Sequence, residues 1–393
     1  MQTADVIVIG GGVMGSSIAL HLLDAEPRLR VAVIERDPSY ARASSALAMG
    51  GIRQQFSSSV SIALVQHSVR FWSGFDDSIR ARGQESRANF RQRGYLFIVG
   101  HDQIAAFEQR FKLQSSLGAR VERLEVGEIA RRLPDANLDG IAFGVFGAAD
   151  GYASPREVLK SMRAGAASAG AEYITAEVSA IDRTDDRVTG VALADGRRIS
   201  GASVVNAAGP WAARIGAMAG VDLPIAPQRQ QLFRCALPER WPYRFPMVVD
   251  PTGVHWRHDD PDHVSDLDRI VVARTRADEP TGENFDCDLA RWRDDFLPPL
   301  VHRMPRFRDL KLIEGWAGLY EMTPDHNPLL GRCSGIEGFF VAAGFSGHGL
   351  MMSPAIGQVL AEMILGRAPS IDVTPLAVDR FARGAPLHDG AMI

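Results

Sequence analysis

Both ends of this chain carry the same grammar of buried strand, glycine turn and helix, and no other feature restricts the fold as tightly. Near the start, Asp5-Val6-Ile7-Val8-Ile9 reads as a strand. It runs into Gly10-Gly11-Gly12-Val13-Met14-Gly15 and then into an apolar-periodic run from Ser16 to Leu23. More than 300 residues later, Gly338-Phe339-Phe340-Val341-Ala342-Ala343-Gly344-Phe345-Ser346-Gly347-His348-Gly349 repeats the pattern.

The first motif has a physical basis. Gly10 permits a tight turn, Gly12 lets the backbone approach a pyrophosphate, and Gly15 lets the helix pack close to the strand. The helix N-terminus supplies free N–H groups and partial positive charge. A second strand, Val31-Ala32-Val33-Ile34, ends in Glu35, 20 residues beyond Gly15, where a ribose-binding carboxylate belongs. Two such segments on one chain predict a single dinucleotide gripped from both ends, hence a tightly held FAD rather than an exchangeable NAD.

At 393 residues, 46% hydrophobic and 23% charged, the chain is long enough for two or three domains with a large core. A net charge of −4 gives no footprint for nucleic acid or an anionic membrane. Cys235, Cys287 and Cys333 are widely spaced and form neither a disulfide framework nor a metal cluster, which fits a reducing compartment. The first strand begins by residue 5, leaving no room for a signal peptide. No apolar run reaches the ~20 residues of a spanning helix; the stretch from Ala355 to Leu365 is shorter and contains Glu362. The expectation is a cytoplasmic protein.

Periodicity predicts helices over 59–75, 102–117, 128–133 and 155–169, a loop over 147–154, and strands at 93–99, 172–175, 176–182, 188–193 and 202–205. Asp195-Gly196 reads as a hairpin turn. Residues 225–315 alternate strand-like runs with Pro- and Asp-rich turns around one helix near 289–297. The fold class expected is α/β, a Rossmann-like FAD-binding domain discontinuous in sequence (1–85, 145–224 and 316–393) with a β-rich α+β substrate domain (86–144 and 225–315).

Four segments together resemble the FAD-dependent family of D-amino-acid oxidase, glycine oxidase and sarcosine oxidase. They are Gly10 to Gly15 with Glu35, Asn206-Ala207-Ala208-Gly209-Pro210-Trp211, Gly315 to Gly331, and Gly338 to Gly349. Gly315-Trp316-Ala317-Gly318-Leu319-Tyr320-Glu321-Met322-Thr323-Pro324-Asp325 is the most specific piece. It is most similar to sarcosine oxidase β subunits, proline dehydrogenase β subunits and a flavoprotein resembling a complex I assembly factor. The resemblance implies FAD contacts from Gly10, Gly12, Val13, Met14, Gly15, Glu35, Arg36, Ser44, Ser45, Gly50, Gly51, Val178, Ala208, Gly209, Trp211, Gly318, Gly344, Ser346, Gly347, His348, Gly349, Leu350 and Met351.

Departures from the family pattern carry equal weight. Where monomeric sarcosine oxidase attaches flavin through a cysteine, this chain has Gly318, so FAD is expected to be noncovalent. The residues that hold an amino-acid carboxylate in relatives align with Phe56, Met351 and Tyr320. The lysine that promotes reaction with oxygen aligns with Val271, leaving Arg274 or Arg257 as alternative cations. Oxygen or another electron acceptor remains open, and the resemblance to β subunits allows a partner subunit.

These residues point to oxidation of the C–N bond of a secondary amine or substituted amino acid, the flavin doing the redox chemistry. His348, between two glycines, is expected beside the flavin ring or bonded to the turn's backbone. Arg53 is placed near the ring or in an ordinary ion pair, and Tyr320 in the pocket or the core; these three are the catalytic candidates. Phe56, His255, Arg257, Tyr320 and Met351 are the pocket candidates, His255 and Arg257 sharing one strand face by alternation. The run His258-Asp259-Asp260-Pro261-Asp262-His263 reads as a solvated turn, and no metal is expected. Hydroxy-acid oxidation and a noncatalytic flavoprotein subunit are the alternatives.

Overall fold

A computed structural model describes residues 2–237, 239–259, 267–276 and 278–387. A six-stranded sheet forms the nucleotide half, in the spatial order Leu329–Arg332, Phe339–Ala343, Ser203–Asn206, Val6–Ile9, Val31–Glu35, Glu172–Thr175. All neighbours are parallel except Leu329–Arg332 against Phe339–Ala343. Its inner strands are unbroken apolar runs because both faces are covered. One face carries helices Val13–Ala25, Ser59–Ala81, Pro155–Ser168 and Gly349–Ile364. The other carries a four-stranded sheet and helix Ala212–Met218.

An eight-stranded sheet forms the second half: Lys311–Met322, Ala226–Ala236, Arg269–Arg274, Val254–His258, Met247–Val249, Tyr95–Gly100, Ile141–Gly147, Val121–Leu124. Alternation splits its side chains between two cores. Val254, Trp256, Ile270 and Val272 face a core built with the segment Leu289–Arg303. Leu232, Val271, Ala273, Met247 and Tyr95 face the nucleotide half. The α/β class with a β-rich second half is therefore as expected.

Several details differ from the expectations. The helix from Ser59 continues to Ala81, since nothing in 76–81 breaks it. The expected loop 147–154 holds a short strand, Gly151–Tyr152, paired with Gly51–Ile52. The expected helix near 289–297 runs on to Arg303 through one wider turn at Trp292–Phe296. The boundaries at 144 and 315 fall inside strands Ile141–Gly147 and Lys311–Met322. Lys311–Met322 pairs with Ala226–Ala236 from end to end, carrying its last residues to the nucleotide half. Of the run 258–263, only His258 and Asp259 lie among the described residues: His258 stacks on Phe245, and Asp259 pairs with Arg234 at 2.5 Å.

Candidate active site

A cavity of about 620 Å³ lies between the two large sheets. Its floor is mostly main chain. Gly10, at φ +103°, bends the strand Val6–Ile9 into helix Val13–Ala25, and a Cβ there would collide with the Ala207 carbonyl oxygen. A Cβ at Gly15 would collide with the Gly10 carbonyl oxygen, so the helix can seat against the turn only with glycine. The N-cap residue Gly12 has no side chain to cap this helix and its first turn holds no acid, which leaves the first-turn N–H groups beyond Val13 for an anion. Ser45 Oγ accepts from Val13 N at 3.1 Å, and Ser44 Oγ donates to Leu319 O at 2.6 Å. Glu35 ends its strand at the cavity, its two carboxylate oxygens accepting from Gly11 N (2.8 Å) and Asp37 N (2.9 Å). Arg36 lies flat over Trp211, 3.9 Å from the ring centre. A helix N-terminus free of acidic side chains, a strand-end carboxylate 20 residues on and a tight glycine turn together suit the phosphates and ribose of a dinucleotide.

Of the expected cofactor residues, Gly10, Gly12, Val13, Met14, Glu35, Arg36, Ser44, Ser45, Val178, Ala208, Gly209, Trp211, Gly318, Gly347, Gly349 and Leu350 line this cavity. Gly15 lies behind the turn. Gly50 and Gly51 lie away from the cavity: Gly50, at φ +83°, presses on the Ala153 carbonyl, and Gly51 pairs with Tyr152. Gly344 and Ser346 shape the second turn from beneath, Gly344 N donating to Glu321 Oε2 at 2.9 Å and Ser346 Oγ accepting from Thr323 N at 3.3 Å. Met351 points into the core, and its carbonyl accepts from Trp72 Nε1 at 3.3 Å.

The ceiling is built from side chains. Leu232, Ala273 and Met49 supply apolar area, while His255, Gln230 and Tyr320 supply polar atoms. Burial pushes the Tyr320 phenol up to about 12, so it stays protonated. The Tyr320 ring packs on the second glycine turn: a Cβ at Gly347 would come within 2.5 Å of it. His255 is buried, with Nδ1 3.0 Å from Gly253 O, and desolvation pulls its imidazole down to about 4. Arg257 shares its strand face but is not part of the lining; its guanidinium donates to Met49 O (2.8 Å) and His258 O (2.7 Å) and so fixes the loop beneath. Val271 is buried on the same sheet face as Leu232 and Ala273 but is not part of the lining, and Arg274 lines the cavity while its guanidinium donates to Asp295 O.

Arg53, His348 and Phe56 sit behind the lining. Arg53 Nη2 lies 3.2 Å from His348 Nε2, and Nη1 donates to Gln55 O. Arginine only donates, so His348 Nε2 is the acceptor and the imidazole is neutral. Desolvation first, and then the Arg53 charge, hold it well below its usual range. Phe56 meets the His348 ring edge-on at 4.9 Å and the Arg53 guanidinium at 4.3 Å. Arg53 and Phe56 border a separate cavity of about 130 Å³, walled also by Phe97, Arg110 and Gln114.

Sequence reasoning passed over Glu321 as a site residue. It lines the main cavity, and desolvation pushes its carboxyl up to about 7, against hydrogen bonds from the Gly344 and Phe345 N–H groups. The available signal was an acid inside the otherwise apolar strand end Leu319–Met322. Gln230 was missed as well, since a glutamine on an alternating strand looks solvent-facing.

Comparison with known proteins agrees with this geometry. The DAO family, FAD dependent oxidoreductase, matches residues 5–363. The Bos taurus protein called FAD-dependent oxidoreductase domain-containing protein 1 is 30% identical over 100% of this chain and 87% of its own length. Glycine oxidase of Geobacillus kaustophilus (strain HTA426) is 27% identical over 96% of this chain and 97% of its own. The crystal structure of L-proline dehydrogenase from P. horikoshii superposes with a TM-score of 0.87 at 27% identity, covering 98% of this chain and 100% of that one.

Proposed function

This chain belongs to the DAO family of FAD dependent oxidoreductases and takes FAD as its cofactor, and from that premise we propose that it oxidises the C–N bond of a secondary amine or substituted amino acid. Bound FAD supplies the two-electron acceptor, and the chain's own residues prepare the substrate. The observation that carries this reading is the ceiling: Leu232, Ala273 and Met49 adjoin three uncharged polar side chains, His255, Gln230 and Tyr320, while the guanidinium of the neighbouring Arg274 is held by Asp295 O. An amine entering such surroundings loses water, which favours its neutral, oxidisable form over the ammonium. Tyr320 keeps its proton and offers a hydrogen bond, while Arg53 and His348 hold the second glycine turn from behind.

The floor residues named above would hold the nucleotide without a covalent bond. Gly318 takes the place of the attaching cysteine, and no cysteine lines the cavity. Acid precipitation checks this, free flavin in the supernatant being the expected result. The function is tested by anaerobic mixing of the flavin-loaded protein with secondary amines, amino acids of both hands and 2-hydroxy acids. Bleaching of the flavin band by an amine is expected; bleaching by hydroxy acids alone overturns the reading. Readmitting air then separates reaction with oxygen from use of another acceptor.

A further inference from the structure

His255 differs from the other polar groups of the ceiling in what it can do. Its Nδ1 lies 3.0 Å from the Gly253 carbonyl oxygen, which can only accept, so the ring proton sits on Nδ1 and Nε2 carries the lone pair. Nε2 makes no hydrogen bond among the described residues, and the side chain lines the main cavity. Tyr320 and Gln230 can each donate or accept. The His255 Nε2 can only accept, because the ring stays neutral through desolvation and the charge of Arg53 behind it. A buried acceptor beside the apolar side chains of Leu232, Ala273 and Met49 disfavours any occupant that cannot donate to it.

We infer that His255 reads the substrate's nitrogen: its Nε2 accepts a hydrogen bond from the N–H of a primary or secondary amine, which selects these over tertiary amines of the same shape. The assignment rests on the amine reading above and narrows it. It also orients the amine, since an N–H held at Nε2 fixes the direction of the nitrogen lone pair and of the adjoining C–H.

Morpholine and N-methylmorpholine, two rings of nearly equal shape, test this assignment at a pH above the pKa of both, where both are neutral. The flavin-loaded protein is titrated anaerobically with each, following the shift of the flavin band. The wild type should bind morpholine at least about tenfold more tightly. His255→Phe, similar in shape without the acceptor, should bring the ratio close to one. His255→Gln, which keeps an acceptor oxygen, should retain most of it. Equal affinities in the wild type, an unchanged ratio in His255→Phe, or no response to either ring each overturn the assignment. If His255→Phe fails to retain FAD, the wild-type ratio and a ratio lost in His255→Gln still decide against it. Bleaching by secondary amines with no preference over tertiary ones sinks the role of His255 and leaves the amine reading standing. Bleaching by lactate and by no amine removes both.

Discussion

The floor and the ceiling of the main cavity are made of different material. The floor is backbone: two glycine turns, one helix N-terminus and a strand-end carboxylate, with side chains mostly kept away from the contact surface. The ceiling is side chain: His255, Gln230, Leu232, Ala273 and Tyr320 come from four neighbouring strands of one sheet, within residues 226–322. A backbone site tolerates almost no substitution at its turns but serves the same ligand in many proteins. A side-chain site can change its ligand one residue at a time without loss of the fold.

The sharpest way to break this contrast is a single methyl group in the floor. Gly10→Ala adds a Cβ against the Ala207 carbonyl at a φ of +103°, with a cost of at least about 3 kcal/mol. The purified variant should therefore carry little or no flavin by its visible absorbance. In the ceiling, Tyr320→Phe should keep full flavin content, because the ring still supports Gly347, while kcat/KM falls roughly tenfold from the lost hydroxyl. Flavin loss in that variant would show that the two regions are not separable.

A smaller effect concerns Glu321, which bridges them. Its carboxyl is raised from the usual 4.5 to about 7 in the folded protein. The folded state thus holds a proton that the unfolded chain has released between those values. This contribution is complete below pH 4.5 and is lost as pH rises through 7. In the flavin-free protein, the stability of wild type relative to Glu321→Gln should decline over that window, by no more than about 1.4 kcal/mol per pH unit. Melting curves of both proteins from pH 4.5 to 8 give the slope; a flat difference would mean that the carboxyl is not shielded from water. The smallest change belongs to Met351→Leu, which should cost less than about 1.5 kcal/mol and leave KM within twofold, since this side chain packs in the core.

The same contrast governs what could be read from the sequence. Residues 5–35 and 338–350 were legible because a tight turn, a close helix contact and a strand-end acid each demand one residue type at one spacing. Alternation correctly put His255 and Arg257 on one face. It could not tell that Arg257 reaches back to the Met49 carbonyl while His255 meets the cavity, because that depends on the loop 43–50 packed beneath them. The placing of Arg53 near the flavin ring and of Phe56 in the pocket turns on a related matter. The turn at Gly50-Gly51 carries them past the main cavity to the second one, and only the pairing of Gly51–Ile52 with Gly151–Tyr152 reveals that path. Glu321 escaped notice because its burial, and the Gly344 and Phe345 N–H groups that partly offset it, depend on a segment more than 20 residues away.

The central strand Val6–Ile9 lies between Ser203–Asn206 and Val31–Glu35, and helix Val13–Ala25 is covered by helix Gly349–Ile364, with Ser17 Oγ donating to the Ser353 carbonyl at 2.7 Å. During synthesis the first glycine turn therefore leaves the ribosome long before its partners exist. At roughly 5–20 residues per second, the helix that closes the site follows about 17–67 s later. Throughout that interval the side of the first helix that meets Gly349–Ile364 has no native cover, although Pro155–Ser168 covers another side sooner, and the second glycine turn of the cradle is not yet in place. The full cradle is thus a late product of synthesis, complete only once the C-terminal helix is in place.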